Sequence, residues 1–139
     1  MAYRMISITA MKPDTHEPLT GELAVYDTLV EVGIGCRVDV ARTLLARGSR
    51  VTATDIYPRT VPEGVEFALD DVTDPDISIY DGCGVVYARN LPPELHRPAR
   101  NLARHVDADF LFTTLGGDGP EVPVSRKTLP NETMFVAER

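Results

Sequence analysis

The sequence predicts a doubly wound α/β domain with a mostly parallel sheet, on three observations. From Thr28 onward, short β-branched apolar runs alternate with segments of helical period or long loops. Parallel neighbours need such crossovers, and right-handed crossovers wind the sheet in both directions. The first apolar run leads straight into Gly-x-Gly and then a helical pattern, in T-L-V-E-V-G-I-G-C-R-V-D-V-A (residues 28–41). Finally, 139 residues are enough for one such domain and too few for two.

The elements follow in order. Residues 1–20, with Pro13 and Pro18, read as an N-terminal arm, and residues 21–139 as the α/β domain. Residues 21–27 form a short helix and 28–32 a buried strand. Over 37–47, Val38, Ala41, Leu44 and Leu45 share one helical face, and Gly48 is placed as the C-cap. Residues 50–54 are a second strand ending at Asp55, and Pro58 and Pro62 make a loop. Residues 65–69 alternate as a third strand. D-D-V-T-D-P-D (70–76) is an acidic turn. Residues 84–88 are a fourth strand. Leu95, Ala99, Leu102, Ala103 and Val106 then give a helix face. Pro98 past the first turn of a helix begun at Pro92 would cost about 3 kcal/mol, so the helix is expected to start near Pro98. Residues 109–114 are a fifth strand, 114–120 a glycine-rich loop, and 133–137 a last strand. Roughly 25 residues follow the fifth strand. The sheet is therefore expected to have six strands and to be shortened at the C-terminus, with an open cleft.

Composition narrows the function classes. A formal net charge of −7 argues against non-specific nucleic-acid or anionic-membrane binding. No apolar run approaches the roughly 20 residues of a membrane span. The N-terminus lacks a basic segment followed by a long apolar one, so a cytoplasmic protein is expected. Lys12 and Lys127 are the only lysines among 14 basic residues. That bias suits a salt-loving cytoplasm or a GC-rich genome, and both readings stay open. Cys36 follows the first strand and Cys83 precedes the fourth, at opposite strand ends, so free thiols are expected. His16, His96 and His105 show no metal-ligand spacing and are expected on the surface or rim; no metal is implied.

In a doubly wound sheet, ligands bind outside the carboxyl ends of the strands, at the switch point beside the first strand. Residues 33–37, 55–57, 70–74, 89–93 and 114–119 all leave such ends. Gly33 and Gly35 permit a tight turn and close backbone approach. Asp55, about 20 residues on, is placed to accept bonds from both hydroxyls of an adenosine ribose. A dinucleotide fingerprint would want glycine where Val38 stands.

Glu31-Val32-Gly33-Ile34-Gly35-Cys36-Arg37 resembles the first motif of class I S-adenosylmethionine (SAM) methyltransferases, an acid-x-Gly-x-Gly-x-Gly run with Arg37 in place of the third glycine. The resemblance covers about residues 28–115 and implies a Rossmann-like, SAM-methyltransferase-like domain. It implies Glu31 near the amino-acid end of SAM, the Gly33–Gly35 turn beneath it, Asp55 on the ribose, and Asp70 or Asp71 at the adenine amino group. Arg37 is a rim residue able to pair with a ligand carboxylate or phosphate. The motifs V-E-V-G-I-G, V-T-A-T-D-I, D-D-V-T-D-P and P-P-E-L resemble an uncharacterised archaeal family of small, truncated Rossmann-like proteins, which supports the fold and carries over no activity.

Amino-group methyltransferases place Asn or Asp, two prolines and an aromatic after the fourth strand. Here Asn90 is separated from Pro92 and Pro93 by Leu91, and Glu94 stands in place of the aromatic, so no catalytic residue is named. Gly116 and Gly117 complete the expected rim. The function expected is a SAM-binding, methyltransferase-like protein of unknown acceptor. The alternatives are a regulatory module for an adenine nucleotide or a dinucleotide such as NAD(P), and a non-catalytic Rossmann scaffold. The partner in the first two is an adenosine-containing small molecule; homo-oligomer formation stays open.

Overall fold

Along Thr28–Val32, successive side chains serve opposite faces of a sheet buried on both sides, which is why Leu29, Val30 and Val32 are apolar on both faces. Leu29 belongs to one core cluster, whereas Val30 and Val32 belong to the other. The computed structural model describes residues 16–139. Its strands are β1 (Thr28–Val32), β2 (Arg50–Asp55), β3 (Glu66–Leu69), β4 (Val85–Ala88), β5 (Asp109–Phe112), β6 (Val124–Thr128) and β7 (Thr133–Ala137). Its helices are α1 (Glu17–Leu23), α2 (Asp39–Ala46) and α3 (His96–His105).

The strand order is β3-β2-β1-β4-β5-β7-β6. The first five strands pair in parallel, and the β6–β7 hairpin joins β5 antiparallel. The order reverses at β1, whose neighbours are β2 and β4, as the doubly wound reading requires. One face is covered by α1 and α2, through Leu19, Leu23, Val40, Ala41 and Leu44. The other is covered by α3, through Ala99, Leu102 and Ala103 packed with Val86, Phe110 and Phe112.

The end of α2 follows local chemistry. Gly48 has φ +98, its N–H donates to the Leu45 carbonyl, and the Ser49 N–H donates to that of Leu44. These paired bonds satisfy carbonyls that the helix end leaves open. At α3 the sequence expectation shifts by two residues. A 3₁₀ turn, Pro93–Leu95, leads into a helix from His96, so Pro98 is its third residue. Its missing N–H is one that a first turn leaves unpaired anyway, and the proline costs little there.

Two other boundaries differ from the sequence reading. The first helix begins at Glu17, not Gly21, and buries Leu19 and Thr20, which the arm had included. The expected arm otherwise lies outside the described residues as far as residue 15. The sheet has seven strands where six were expected. The additional strand is β6, V-S-R-K-T, whose side chains are mostly exposed. Such an edge strand shows no apolar alternation, and Arg126 and Lys127 on it discourage pairing with another sheet. The shortening falls on the β5–β6 connection, a loop with no α-helix.

Candidate functional site: a glycine turn tied to a strand-end carboxylate

Where β1 ends, Gly33 and Gly35 adopt φ +70 and +59, values that β-carbon-bearing residues avoid. The Gly33 and Ile34 N–H groups donate to the Thr54 carbonyl at 2.9 and 3.0 Å. The Gly35 N–H donates to Asp55 Oδ2 at 2.8 Å, and the Tyr57 N–H donates to Asp55 Oδ1 at 3.0 Å. Arg59 Nε stands 3.3 Å from Asp55 Oδ2. Burial pushes the Asp55 pKa up, but the Tyr57 and Gly35 N–H bonds and the Arg59 charge outweigh it. The carboxyl therefore titrates below its ordinary value and is ionised at neutral pH.

Beside this turn lies a cleft of ≈ 390 Å³, walled by Gly33, Asp55, Ile56, Tyr57, Asp70 and Asp71 among others. Ile56 and Tyr57 expose apolar surface there. A second cavity, ≈ 410 Å³, is lined by Thr28, Arg50 and Gly82, at the amino ends of β1 and β2. The switch-point rule assigns ligands to the carboxyl edge, hence to the first cleft. Asp70 accepts the Tyr80 hydroxyl at 2.6 Å on Oδ2 and the Asp76 N–H at 2.9 Å on Oδ1. Asp71 binds the N–H and hydroxyl of Thr73 through Oδ1 alone. Of the two expected adenine contacts, Asp71 thus keeps one oxygen unengaged among the described residues. The neighbouring Asp76 holds the Ser78 N–H and hydroxyl, so these aspartates serve as turn caps.

Glu31 is not on the cleft wall. It is 1% exposed and pairs in register with Tyr87 of β4, which puts both side chains on the α1–α2 face. The Tyr87 hydroxyl donates to Glu31 Oε1 at 2.7 Å. Burial dominates and pushes the Glu31 pKa up to about 7, against the opposing pull of Tyr87 and Arg89. Two residues beyond Tyr87, Arg89 lies on the same face and donates through Nη1 to Asp39 Oδ1 at 2.9 Å. Asp39 is the first residue of α2. The four side chains join the ends of β1 and β4 to the start of α2.

The expected rim residues separate. Arg37 is exposed in the turn that follows Gly35. Asn90 has φ +52, and its N–H donates to Thr113 Oγ1 at 2.9 Å, between the ends of β4 and β5. Gly116 and Gly117 line another cleft, ≈ 550 Å³, together with Arg126 and Phe135. The structure does not bring Gly116 and Gly117 to the Asp55 cleft, because β1 and β4 lie between β2, which ends at Asp55, and β5, which the glycine loop follows. Cys36 and Cys83 are free thiols, the first exposed and the second buried.

His96 departs from the surface position expected of it: it is fully buried. Its Nδ1 accepts the Glu121 N–H at 3.1 Å, so Nε2 carries the proton and donates to the Leu91 carbonyl at 2.9 Å. Its ring packs on Phe112 at 4.6 Å. The residue thereby ties the loop after β4 to the loop after β5. It also occupies the Leu91 carbonyl, in the loop that follows β4. Tyr87, Arg89, Asp39 and Arg59 were not singled out for a role in the sequence. The available signal was Arg89 two residues after Tyr87, which places both on one face of β4 and makes an Arg at a strand's carboxyl end.

This geometry defines a Rossmann-like α/β protein whose fold is shared with solved methyltransferase structures. The chain is similar to an RNA methyltransferase from Salinibacter ruber solved with S-adenosyl-L-homocysteine, with TM-score 0.60, 21% identity, and coverage of 89% of this chain and 92% of that one. It is also similar to the magnesium protoporphyrin IX methyltransferase of Synechocystis PCC 6803 solved with bound SAM, with TM-score 0.59, 11% identity, and coverage of 88% and 80%. The chain belongs to the uncharacterised protein family UPF0146, whose model matches residues 18–139. A UPF0146 protein of the archaeon Halobacterium salinarum is 51% identical over 116 residues, 83% of this chain and 90% of that one. No helix among the described residues is long and apolar enough to cross a membrane.

Proposed function

We propose that the chain binds S-adenosylmethionine in the Asp55 cleft and is a methyltransferase-like protein. One observation carries the reading: the Gly33–Gly35 turn is locked onto an ionised Asp55 at the mouth of a cleft of ≈ 390 Å³. That volume suits an adenosyl ligand. In this reading Asp55 accepts from the ribose, Ile56 and Tyr57 cover the adenine, and Asp71 takes its amino group. The backbone of the glycine turn passes beneath the sulfonium and amino-acid portion. Bound SAM supplies an electrophilic methyl group; the chain supplies alignment, which is most of what methyl transfer asks of a protein. Solved neighbours that bind SAM or S-adenosylhomocysteine support the reading at the level of the fold.

Arg59 favours a second reading. A guanidinium beside the ribose carboxylate can accept a ribose phosphate, which would suit NADP or another phosphorylated adenosine.

The test is thermal unfolding at low and high salt with SAM, S-adenosylhomocysteine, NAD, NADP and ATP in turn. A ligand at 100 times its Kd stabilises by about 2.7 kcal/mol and raises the midpoint by several degrees. A shift with SAM and S-adenosylhomocysteine alone is expected. A shift with NADP alone would favour the second reading, and no shift with any of them a non-catalytic scaffold.

A further inference from the structure

The solvent side of α3 carries a stripe of positive charge on a chain that is acidic as a whole. The helix, H-R-P-A-R-N-L-A-R-H, holds three arginines and no acidic residue. Arg97, Arg100 and Arg104 recur at i, i+3 and i+7, so they share one side of the helix over about 10 Å. Arg97 and Arg104 are exposed and Arg100 is half-buried. Among the described residues none of the three pairs with a carboxylate. Arg97 and Arg104 donate to the Glu121 and Glu138 carbonyls, and Arg100 to Asn101 Oδ1, all neutral oxygens. Like charges three and four residues apart repel on a helix, and Arg97 in the first turn opposes the helix dipole. Burial first, and then the charges of Arg104 and Arg97, hold Arg100 below its ordinary pKa. Local helix chemistry therefore does not account for the stripe, whereas an external anion would.

A groove of ≈ 360 Å³ lies beside the stripe, between α3 and the turn that leads into the 3₁₀ segment Ile77–Ile79. Val72, Ile77 and Leu102 give it an apolar floor, and Asn101 and His105 stand on its α3 rim, next to the arginines around the helix. The opposite wall belongs to a turn that carries Asp74 and Asp76. The site is thus cationic on one rim, apolar inside and acidic beyond. An acidic peptide, with charge along both of its sides, would meet the aspartates. A single nucleic-acid strand has the matching asymmetry, with phosphates along one edge and uncharged bases along the other. Arginine is suited to phosphate in geometry as well as charge. Asn101 and His105 stand between arginines and floor, at the level of the sugar, where RNA alone offers a 2′-hydroxyl. Val72 and Thr73 line both this groove and the Asp55 cleft, so a strand held here passes the mouth of that cleft.

We propose that the α3 stripe and its groove bind single-stranded RNA, with Arg97, Arg100 and Arg104 on the phosphates and the bases against the apolar floor. The net charge of −7 opposes polyanion binding over the surface as a whole and so confines it to this one face. The inference stands apart from the SAM reading, since the binding is measured without a cofactor.

The test is fluorescence anisotropy with a labelled single-stranded RNA of about 12 nucleotides, within the span such sites cover, at salt concentrations where circular dichroism shows the chain folded. The affinity of the wild-type chain is expected to fall roughly 100-fold per tenfold rise in salt, the slope for three phosphates neutralised on a single strand. Arg97→Gln, Arg100→Gln and Arg104→Gln together should weaken binding at least ~10-fold and flatten that slope. Arg42→Gln, Arg50→Gln and Arg126→Gln together make the same change of net charge at exposed arginines elsewhere, and should leave affinity within about twofold. A DNA strand of the same sequence should bind ~3-fold or more weakly, for want of the 2′-hydroxyls. An equal loss in the two triple variants would overturn the inference, because net charge and not this face would then set the affinity. So would three results read on the wild-type chain, which hold even if no variant folds: no binding of the RNA, equal affinity for the DNA, or equal affinity for a polyglutamate peptide of matching charge.

Discussion

The Gly35 N–H and Asp55 Oδ2 are joined at 2.8 Å across the end of the β1–β2 pair, so the turn and the carboxylate form one unit. Asp55 therefore has two roles, bracing the turn and facing the cleft. Asp55→Ala should reduce affinity for any adenosine ligand by at least ~10-fold, the scale of a hydrogen bond to a charged group. Titration calorimetry would check this. Unchanged affinity would mean that the ligand site lies elsewhere.

Gly35→Ala isolates the turn from the carboxylate. An added β-carbon meets nothing within 4 Å, so the cost comes from φ +59 alone. Destabilisation of about 1 kcal/mol is expected, a fall of roughly 3 °C in the unfolding midpoint.

Arg59 discriminates between ribose chemistries. It already occupies Asp55 Oδ2, which a ribose hydroxyl would otherwise use. Arg59→Ala should leave or raise affinity for an unphosphorylated adenosyl ligand, by up to ~10-fold. It should weaken a 2′-phosphorylated ligand by a similar factor. Paired titrations with S-adenosylhomocysteine and NADP would read both.

Glu31 should set the alkaline side of the stability profile. Its folded pKa is raised from 4.5 to about 7, so the folded state holds a proton that the unfolded state releases. Its contribution is complete below about pH 4.5 and is lost as pH rises through 7, an effect of roughly 3 kcal/mol. Asp39, Asp55 and Asp109 act oppositely, since their lowered pKa values add stability that vanishes in acid. Glu31→Gln keeps an acceptor for Tyr87 and removes the titration. Its midpoint should exceed that of the wild-type chain at pH 8, and the gain should shrink toward pH 5. A gain independent of pH would refute the buried titration.

His96 should matter for stability and not for ligand chemistry. His96→Phe removes the partners of the Leu91 carbonyl and the Glu121 N–H. A loss of about 2–4 kcal/mol in urea unfolding is expected, with ligand affinity little changed.

The sequence by itself determined the order of elements, the parallel core of the sheet, and the rim that gathers Gly33, Gly35, Asp55, Asp70 and Asp71. Those features rest on local physics: the period of apolar residues, the conformations open to glycine, and the rule that crossovers return every parallel strand in the same direction. Only the tertiary structure decided the rest. β6 exists because β7 offers it a ladder of hydrogen bonds, not because its own pattern is strand-like. Glu31 meets Tyr87 through register across 56 positions of chain, and His96 finds its partners through two loops brought together by β4 and β5. Whether a polar side chain is a surface group or a buried partner depends on what packs against it, and that is settled by residues far away in the chain.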